Sequence, residues 1–168
     1  MKTIFFSLFL LPAILFAQEC KVKKETDGFT RQPKISTGFM KLSSTAGIVS
    51  LNMVADAKEV RLLFSMGEGA CFDEEATAAF SFDGTRTKST QKNTSVMNCD
   101  GIFTIIFRNS TSTPMVLNKL ATQKLTSIVI VADPKQKTEI VLKDTEKQML
   151  LEKAACLVKE AKLLIKPA

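Results

Sequence analysis

The sequence contains no histidine, no tryptophan and no tyrosine. Without histidine the chain has no Ser-His-Asp or Cys-His nucleophile system, and no zinc site with a histidine ligand. It also lacks the commonest general base at neutral pH. All 12 aromatic residues are phenylalanine, which suits burial in a core better than a polar-tipped contact surface. These absences favour a protein that binds a partner over one that catalyses a reaction.

Long apolar runs are also scarce, and the one that occurs lies at the start of the chain, from Ile4 to Phe16. It follows Lys2 and ends at Ala17, which is the pattern of a secretory signal peptide covering residues 1–17. The run is shorter than the roughly 20 residues that span a bilayer, so we expect no transmembrane segment after cleavage. Leu15, the third residue before the predicted cleavage site, is larger than the small residue usual there. The alternative is therefore a signal segment that stays uncleaved as a membrane anchor.

Four cysteines follow the predicted cleavage site, and no pair has the C-x-x-C spacing of a redox motif or zinc knuckle. An even number in an exported chain predicts two disulfides and a periplasmic or secreted location. We favour the pairs Cys20–Cys156 and Cys71–Cys99. A lipid on Cys20 is disfavoured, because Glu19 stands where the lipoprotein signal peptidase needs a small residue.

The C-terminal segment predicts a helix with Asp144 or Thr145 as its N-cap, the latter with Gln148 in a capping box. Cys156 lies about 120° around this helix from its apolar stripe, so another segment must cover it. The segment around Cys20 is the preferred cover, which is why we pair these two cysteines. The stripe itself consists of Leu150, Ala154, Leu157, Ala161 and Leu164.

Alternating apolar and polar residues predict antiparallel strands along most of the chain. KISTGFMKL is a first strand with a bulge at Gly38. GIVSLNMVAD and KEVRLLFSM form a hairpin that turns at residues 56–58, and TAAFSFDGTRTKS turns at Asp83-Gly84 as a two-residue hairpin. GIFTIIFR is apolar on both faces and predicts a central strand. LTSIVIVA and KTEIVLK predict two further strands.

A short helix is predicted over PMVLNKLATQ, with Thr113 as its N-cap and Pro114 as its first residue. The predicted fold class is therefore α+β, mainly an antiparallel β-sheet or sandwich of about seven or eight strands, with this short helix and the C-terminal helix packed on it. Residues 18–168 have the length of one disulfide-stabilised domain with one core.

The net charge is +6, and the basic residues are spread along the chain apart from Lys21, Lys23 and Lys24. This distribution is typical of a solvated basic surface, and we expect no nucleic-acid partner. The polar run of residues 85–95 predicts an exposed hairpin arm. Its functional alternative is a contact surface that binds a partner by strand pairing at an exposed edge.

Three acidic residues follow Cys71 and its neighbour Phe72. Loop carboxylates of this kind can hold Ca²⁺, but the spacing matches no EF-hand, so we expect a solvated turn, no metal and no cofactor. Asp100 precedes Gly101 in a predicted turn, and pairing with Arg108 or Arg86 is the alternative. The candidate ligand or partner contacts are Asp73, Glu74, Glu75, Asp100 and Arg108.

The segment LNKLATQKLTSIVIVADPKQKTEIVLKDTEKQMLLEKAAC combines a short helix, two strands and a closing half-cystine. It resembles the end of periplasmic β-sandwich domains, and the whole pattern resembles small exported proteins of Gram-negative bacteria. The resemblance implies a periplasmic, non-catalytic role and carries no site residue over to this chain.

The sequence thus predicts an exported, non-enzymatic binding or structural domain of the bacterial cell envelope, acting through a protein or envelope partner. One alternative is a binding protein that holds a small apolar ligand in a cavity lined by Phe and Met side chains. The other is a carboxylate-based hydrolase that uses Asp73, Glu75 or Asp100, which requires two carboxylates to converge in a cleft.

Intact mass spectrometry of the protein from its native host tests the predicted processing. The chain should begin at Gln18 and be lighter than its reduced form by the hydrogens lost in two disulfides. Non-reducing peptide mapping should link Cys20 to Cys156. A diacylglycerol mass on Cys20, or free thiols at Cys71 and Cys99, contradicts this prediction.

Overall fold

The computed structural model describes residues 20–133 and 136–165, and the predicted signal peptide lies outside them. The described residues form ten strands and two helices in this order: β1 (Lys23–Thr26), β2 (Pro33–Ser36), β3 (Met40–Ser44), β4 (Gly47–Ala55), β5 (Glu59–Ser65), β6 (Thr77–Phe82), β7 (Ser89–Lys92), β8 (Ile102–Arg108), α1 (Met115–Thr122), β9 (Leu125–Asp133), β10 (Gln136–Val141) and α2 (Asp144–Leu163).

The strands pair antiparallel in two sheets. A six-stranded sheet has the order β1-β2-β4-β5-β8, with β3 also paired to β4, and a four-stranded sheet has the order β10-β9-β6-β7. The predicted α+β class with one short and one C-terminal helix is confirmed. The strand number exceeds the prediction because β1 has no buried face to produce alternation, and because the first predicted strand is divided into β2 and β3.

The division lies at the predicted bulge. Ser36 faces Val54 across the ladder and Met40 faces Leu51, so the β2–β3 side carries one extra residue. Gly38 has φ +68°, a left-handed conformation that glycine adopts at little cost.

The apolar faces of the two sheets meet in one core built around phenylalanine. Phe64 of β5 lies 6.5 Å from Phe80 of β6, measured between ring centroids, and 6.0 Å from Phe103 of β8. Phe72 meets Phe103 edge to face at 5.6 Å. All four rings are buried, so the core joins residues from both sheets and from the loop that precedes β6.

The helix α2 packs its predicted apolar stripe into this core. Leu150, Ala154, Leu157 and Ala161 are buried, as the periodicity predicts. Polar contacts fix the helix along its length, because Lys153 Nζ donates to the Thr37 carbonyl oxygen at 2.9 Å, and the Ala161 carbonyl oxygen accepts from Asn109 Nδ2 at 2.8 Å.

Both helices begin differently from the prediction. Pro114 has an extended ψ of 142° and acts as the N-cap, so α1 begins at Met115 and Thr113 is not the cap. Lys143 is the N-cap of α2, and its backbone N–H donates to Glu146 Oε2 at 2.8 Å. A glutamate three residues after the cap accepts this bond, so the predicted box with Gln148 is wrong.

Two strand predictions also need correction. The turn at Asp83-Gly84 exists, but the β6–β7 pair nearest to it is Phe80 with Ser89. The connection is therefore longer than that of a two-residue hairpin. β9 pairs with the opposite edge of β6 along its whole length, and this ladder continues to Phe82. The segment GIFTIIFR forms β8, which is an edge strand, since β5 is its one partner strand among the residues that the structure describes. Its second apolar face is the outer face of the sheet, where Ile106 is exposed.

Two disulfides join distant parts of the chain in the favoured pattern. Cys20 is bonded to Cys156 on α2, with the Cα atoms 5.3 Å apart, and Cys71 is bonded to Cys99, with the Cα atoms 3.8 Å apart. The first closes a loop of 136 residues, a length for which chain-entropy estimates give about 4 kcal/mol or more of stabilisation. Among the described residues, no helix is long and apolar enough to cross a membrane.

A glycine beside the second disulfide gives a test of the packing. Gly101 and Gly84 both have φ +71°, but a Cβ on Gly101 would overlap the carbonyl oxygen of Gly67, whereas a Cβ on Gly84 meets nothing within 4 Å. We expect Gly84→Ala to lower the free energy of unfolding by about 1 kcal/mol through backbone strain, and Gly101→Ala by about 3 kcal/mol or more. If urea denaturation showed that the two variants lose the same free energy of unfolding, this packing would be contradicted.

Candidate functional site

The strand β7 ends the four-stranded sheet and leaves one side open. It pairs with β6, and no second strand within residues 20–133 and 136–165 pairs with it. Its residues, Ser89–Lys92, belong to the polar run 85–95, which predicts an exposed hairpin arm and, as the alternative, a partner surface. The structure therefore brings the predicted arm to a sheet edge.

The hydrogen-bond pattern shows which backbone groups face outward. Residues of an antiparallel strand point their N–H and C=O groups alternately toward and away from the partner strand. The N–H of Asn93 donates to the Ala76 carbonyl oxygen at 2.8 Å, which extends the β6–β7 ladder by one pair. Asn93 and every second residue before it therefore face β6. The N–H and C=O groups of Thr90 and Lys92 point to the open side.

The corresponding edge of β8 is instead closed along its first half by residues that follow β7. The N–H of Thr94 donates to the Thr104 carbonyl oxygen at 2.8 Å, and Asn93 Oδ1 accepts from the Thr104 N–H at 3.0 Å. Asn98 holds Ile102 in the same way, through both its Oδ1 and Nδ2 atoms. The chain thus covers the first half of the β8 edge, whereas on the β7 edge the contact found among the described residues is local: Gln91 Nε2 donates to the Thr90 carbonyl oxygen at 2.7 Å.

Several basic residues lie at the end of the sheet where β7 begins. The connection of residues 83–88 carries one acid, Asp83, and two bases, Arg86 and Lys88, which are exposed and form no ion pair with any residue that the structure describes. Lys119 Nζ on α1 donates to Ser89 Oγ at 3.2 Å. The Lys124 carbonyl oxygen accepts from the Asp83 N–H, which places this lysine at the same end. The bases at this end are Arg86, Lys88, Lys119 and Lys124.

The acidic turn predicted from the sequence lies where β7 ends. Asp73, Glu74 and Glu75 are exposed, and Asp73 Oδ1 accepts from the N–H groups of Glu75 and Ala76 at 3.0 Å. Lys92 Nζ lies 3.0 Å from Glu75 Oε2, in an exposed ion pair of the weak kind. The β7 edge therefore runs from a basic turn to an acidic turn.

The other two predicted contacts are not part of this edge. Asp100 lies in the turn before β8, and Arg108 is the last residue of that strand, so roughly 20 Å of extended chain separates the two ends of β8. Arg108 faces Glu59 across the β5–β8 ladder. The structure therefore does not form the Asp100–Arg108 pair. Among the described residues, no three Asp, Glu or Cys side chains are grouped as metal ligands.

A polar groove that the sequence did not indicate lies between the β1–β2 and β4–β5 turns, with a volume of about 330 Å³. Four of its five charged groups are paired, because Arg61 pairs with Glu59 and Lys34 Nζ lies 3.9 Å from Asp27 Oδ2, which leaves Asp56 as the fifth. The two turns are distant in sequence, and β1 lacks the alternation that predicts a strand. The sequence feature that could have indicated the groove is the turn-forming pair Asp27-Gly28. The lining residues are Asp27, Thr30, Gln32, Lys34, Val54, Asp56, Glu59 and Arg61.

One carboxyl group of the groove has a shifted pKa. Hydrogen bonds from the Thr30 N–H, the Thr30 hydroxyl and the Phe29 N–H stabilise the ionised form of Asp27 and lower its pKa, with a smaller contribution from Lys34. These bonds fix the β1–β2 turn.

No protein-family model, curated protein or solved structure matches this chain. The geometry of the β7 edge and of the groove is therefore the basis for any functional proposal.

The turn at Asp27 makes a pH-dependent prediction. Because folding lowers this pKa, Asp27 stabilises the fold above its unfolded pKa, and the stabilisation is lost as the pH falls through the folded pKa. Carboxyl NMR titration should place the pKa of Asp27 below 3.8, and Thr30→Ala should raise it partway back.

Asp144 serves as the control, because its pKa is lowered by Lys147 and should not respond to Thr30→Ala. An Asp27 pKa of 3.8 in the unmodified protein, or no response to the substitution, would refute this account.

Proposed function

We propose that this chain is an exported, non-enzymatic binding domain of the bacterial cell envelope, and that it binds a protein or envelope partner at the open edge of β7. The carrying observation is the outward orientation of the backbone groups of Thr90 and Lys92 on a strand paired on one side only. An extended segment of a partner adds to such an edge through main-chain hydrogen bonds.

The rest of the molecule suits a rigid binding scaffold. Two disulfides, one of them fixing the N-terminal segment to α2, support a protein that works in an oxidising compartment such as the periplasm or the cell exterior. The second disulfide lies in the loop that leads to the acidic turn, so this end of the β7 edge is held in place before a partner binds. Such preorganisation lowers the entropic cost of binding.

The alternatives have less support. The phenylalanine rings pack against one another in the core, and the groove of about 330 Å³ is lined mostly by polar side chains, which does not suit an apolar ligand. A hydrolase would need two carboxylates converging in a cleft. Asp73 instead caps its own turn, Glu75 pairs with Lys92, and all three candidate carboxylates are exposed.

Site-specific photo-crosslinking in the native host tests the proposal. With a photoreactive residue replacing Lys88, we expect an adduct with another envelope component, identified by mass spectrometry in the envelope fraction. Thr90→Pro in the same chain should abolish this adduct. Proline removes the outward N–H of Thr90 and leaves the hydrogen bonds between β7 and β6 intact.

The edge strand β1 provides a matched control. The N–H of Asp27 donates to the Gln32 carbonyl oxygen at 2.9 Å, so by the same alternation the backbone of Thr26 points to the open side of β1. Thr26→Pro should leave the adduct from position 88 intact. The proposal fails if no adduct forms, or if both proline variants reduce it equally.

A further inference from the structure

We infer that a second copy of this chain occupies the β7 edge in the free protein, so that two β7 strands pair antiparallel about a two-fold axis and join the four-stranded sheets into one. This inference goes beyond the proposed function and does not depend on it. It adds that self-pairing and partner binding compete for the same backbone groups.

The backbone of β7 is self-complementary. With the two-fold axis at Gln91, Thr90 of one copy lies opposite Lys92 of the other, and the reverse pair forms on the other side of the axis. Every outward N–H and C=O group of the two residues then finds a partner in the hydrogen-bonded pairs of an antiparallel ladder. The strand partner replaces the bond of 2.7 Å that Gln91 Nε2 donates to the Thr90 carbonyl oxygen within one chain. A two-fold interface of this kind uses the same patch on both copies.

The charges along the edge are self-complementary as well. Antiparallel pairing brings the start of β7 in one copy to the end of β7 in the other. The exposed bases Arg86 and Lys88 of one copy therefore approach the acidic turn of the second copy, where Glu75 is bonded to Lys92 and Glu74 has no ion pair among the described residues. The same contact occurs twice in a two-fold dimer. Opposite charges at both ends favour this arrangement over a parallel one.

The edge of β1 lacks this property. Lys24 of β1 pairs with Glu160 at 3.3 Å, and Glu25 pairs with Lys34 at 3.8 Å, so the charges of β1 are neutralised within one chain. At β7 the bases of the adjoining turn have no acidic partner among the described residues. The short strand buries far less area than a stable interface, which buries about 1,200–2,000 Å², so we expect a reversible dimer that dissociates on dilution.

Sedimentation equilibrium of the purified, disulfide-bonded protein over a range of concentrations tests the inference. The average mass should rise toward twice that of the monomer, and added salt should weaken the association because the charges at the interface are exposed. Thr90→Pro should abolish the dimer, whereas Thr26→Pro should leave it unchanged.

A charge exchange identifies the contacting ends. Arg86→Glu with Lys88→Glu should give a monomer, and Glu74→Lys with Glu75→Lys should give a monomer. Mixing the two double variants should restore association as a heterodimer, since both contacts then join opposite charges. Thermal melting of each variant before mixing checks that the fold is retained.

The inference is overturned if the unmodified protein stays monomeric throughout, if Thr90→Pro still dimerises, or if the mixed variants remain monomeric. A monomeric protein that still gives the position-88 adduct with another envelope component would leave the proposed function standing. A dimer without that adduct would support the inference and remove the proposed function.

Discussion

The side chain of Asn93 fixes how the two sheets are joined. It is 4% exposed, and its Nδ2 donates to the carbonyl oxygens of Asp73 and Ser95 while its Oδ1 accepts from the N–H of Thr104. A buried amide is stable only when its donors and acceptors are satisfied, and an unsatisfied one costs about 1–3 kcal/mol. This side chain thus holds the acidic turn, the chain after β7 and the edge of β8 in one arrangement.

The open and closed edges follow from that arrangement. Because Asn93 and Thr94 carry the chain from the four-stranded sheet to β8, the residues after β7 are used to satisfy Thr104 and are not available to cover β7. The disulfide between Cys71 and Cys99 ties the two sides of this crossing together, and Phe72 and Asn98 form a bridge beside it. Local unfolding of the acidic turn is opposed by the same set of bonds.

Sequence periodicity predicted burial correctly where the burial of a residue depends on the helix or strand that contains it. The α2 stripe is buried as predicted from Leu150 to Ala161, while Leu164 is the C-cap and only partly buried. The bulge at Gly38 and the hairpin at residues 56–58 are present, because helix and strand repeats specify which face meets the core. Polarity of residues 85–95 likewise indicated an exposed arm. The hydrogen-bond direction along β7, which makes the edge usable, depends on the register with β6 and has no sequence pattern.

Predictions failed where the outcome depends on a distant neighbour. The apolar outer face of β8 suggested a central strand, but strand order is decided by how the whole chain closes, and residues 93–98 occupy the place of the expected neighbour. β1 is exposed along its whole length, so no alternation revealed it. At α2, Glu146 bonds both to the Lys143 N–H and to the Ser43 N–H, and the second contact comes from another element.

Basic residues on an edge strand are often explained as protection against edge-to-edge aggregation, because repeated pairing of like charges is unfavourable. At β7 the charge changes sign from one end to the other, so an antiparallel copy meets opposite charges while a parallel copy meets like charges. Pairing is then limited to one closed geometry, and no edge of β7 remains to continue a fibre. In the proposed dimer, a strand of the proposed partner would compete with this pairing, so its apparent affinity would fall as the concentration of the free protein rises. In this proposal the same charges limit self-association to a dimer and set a threshold for binding of the proposed partner.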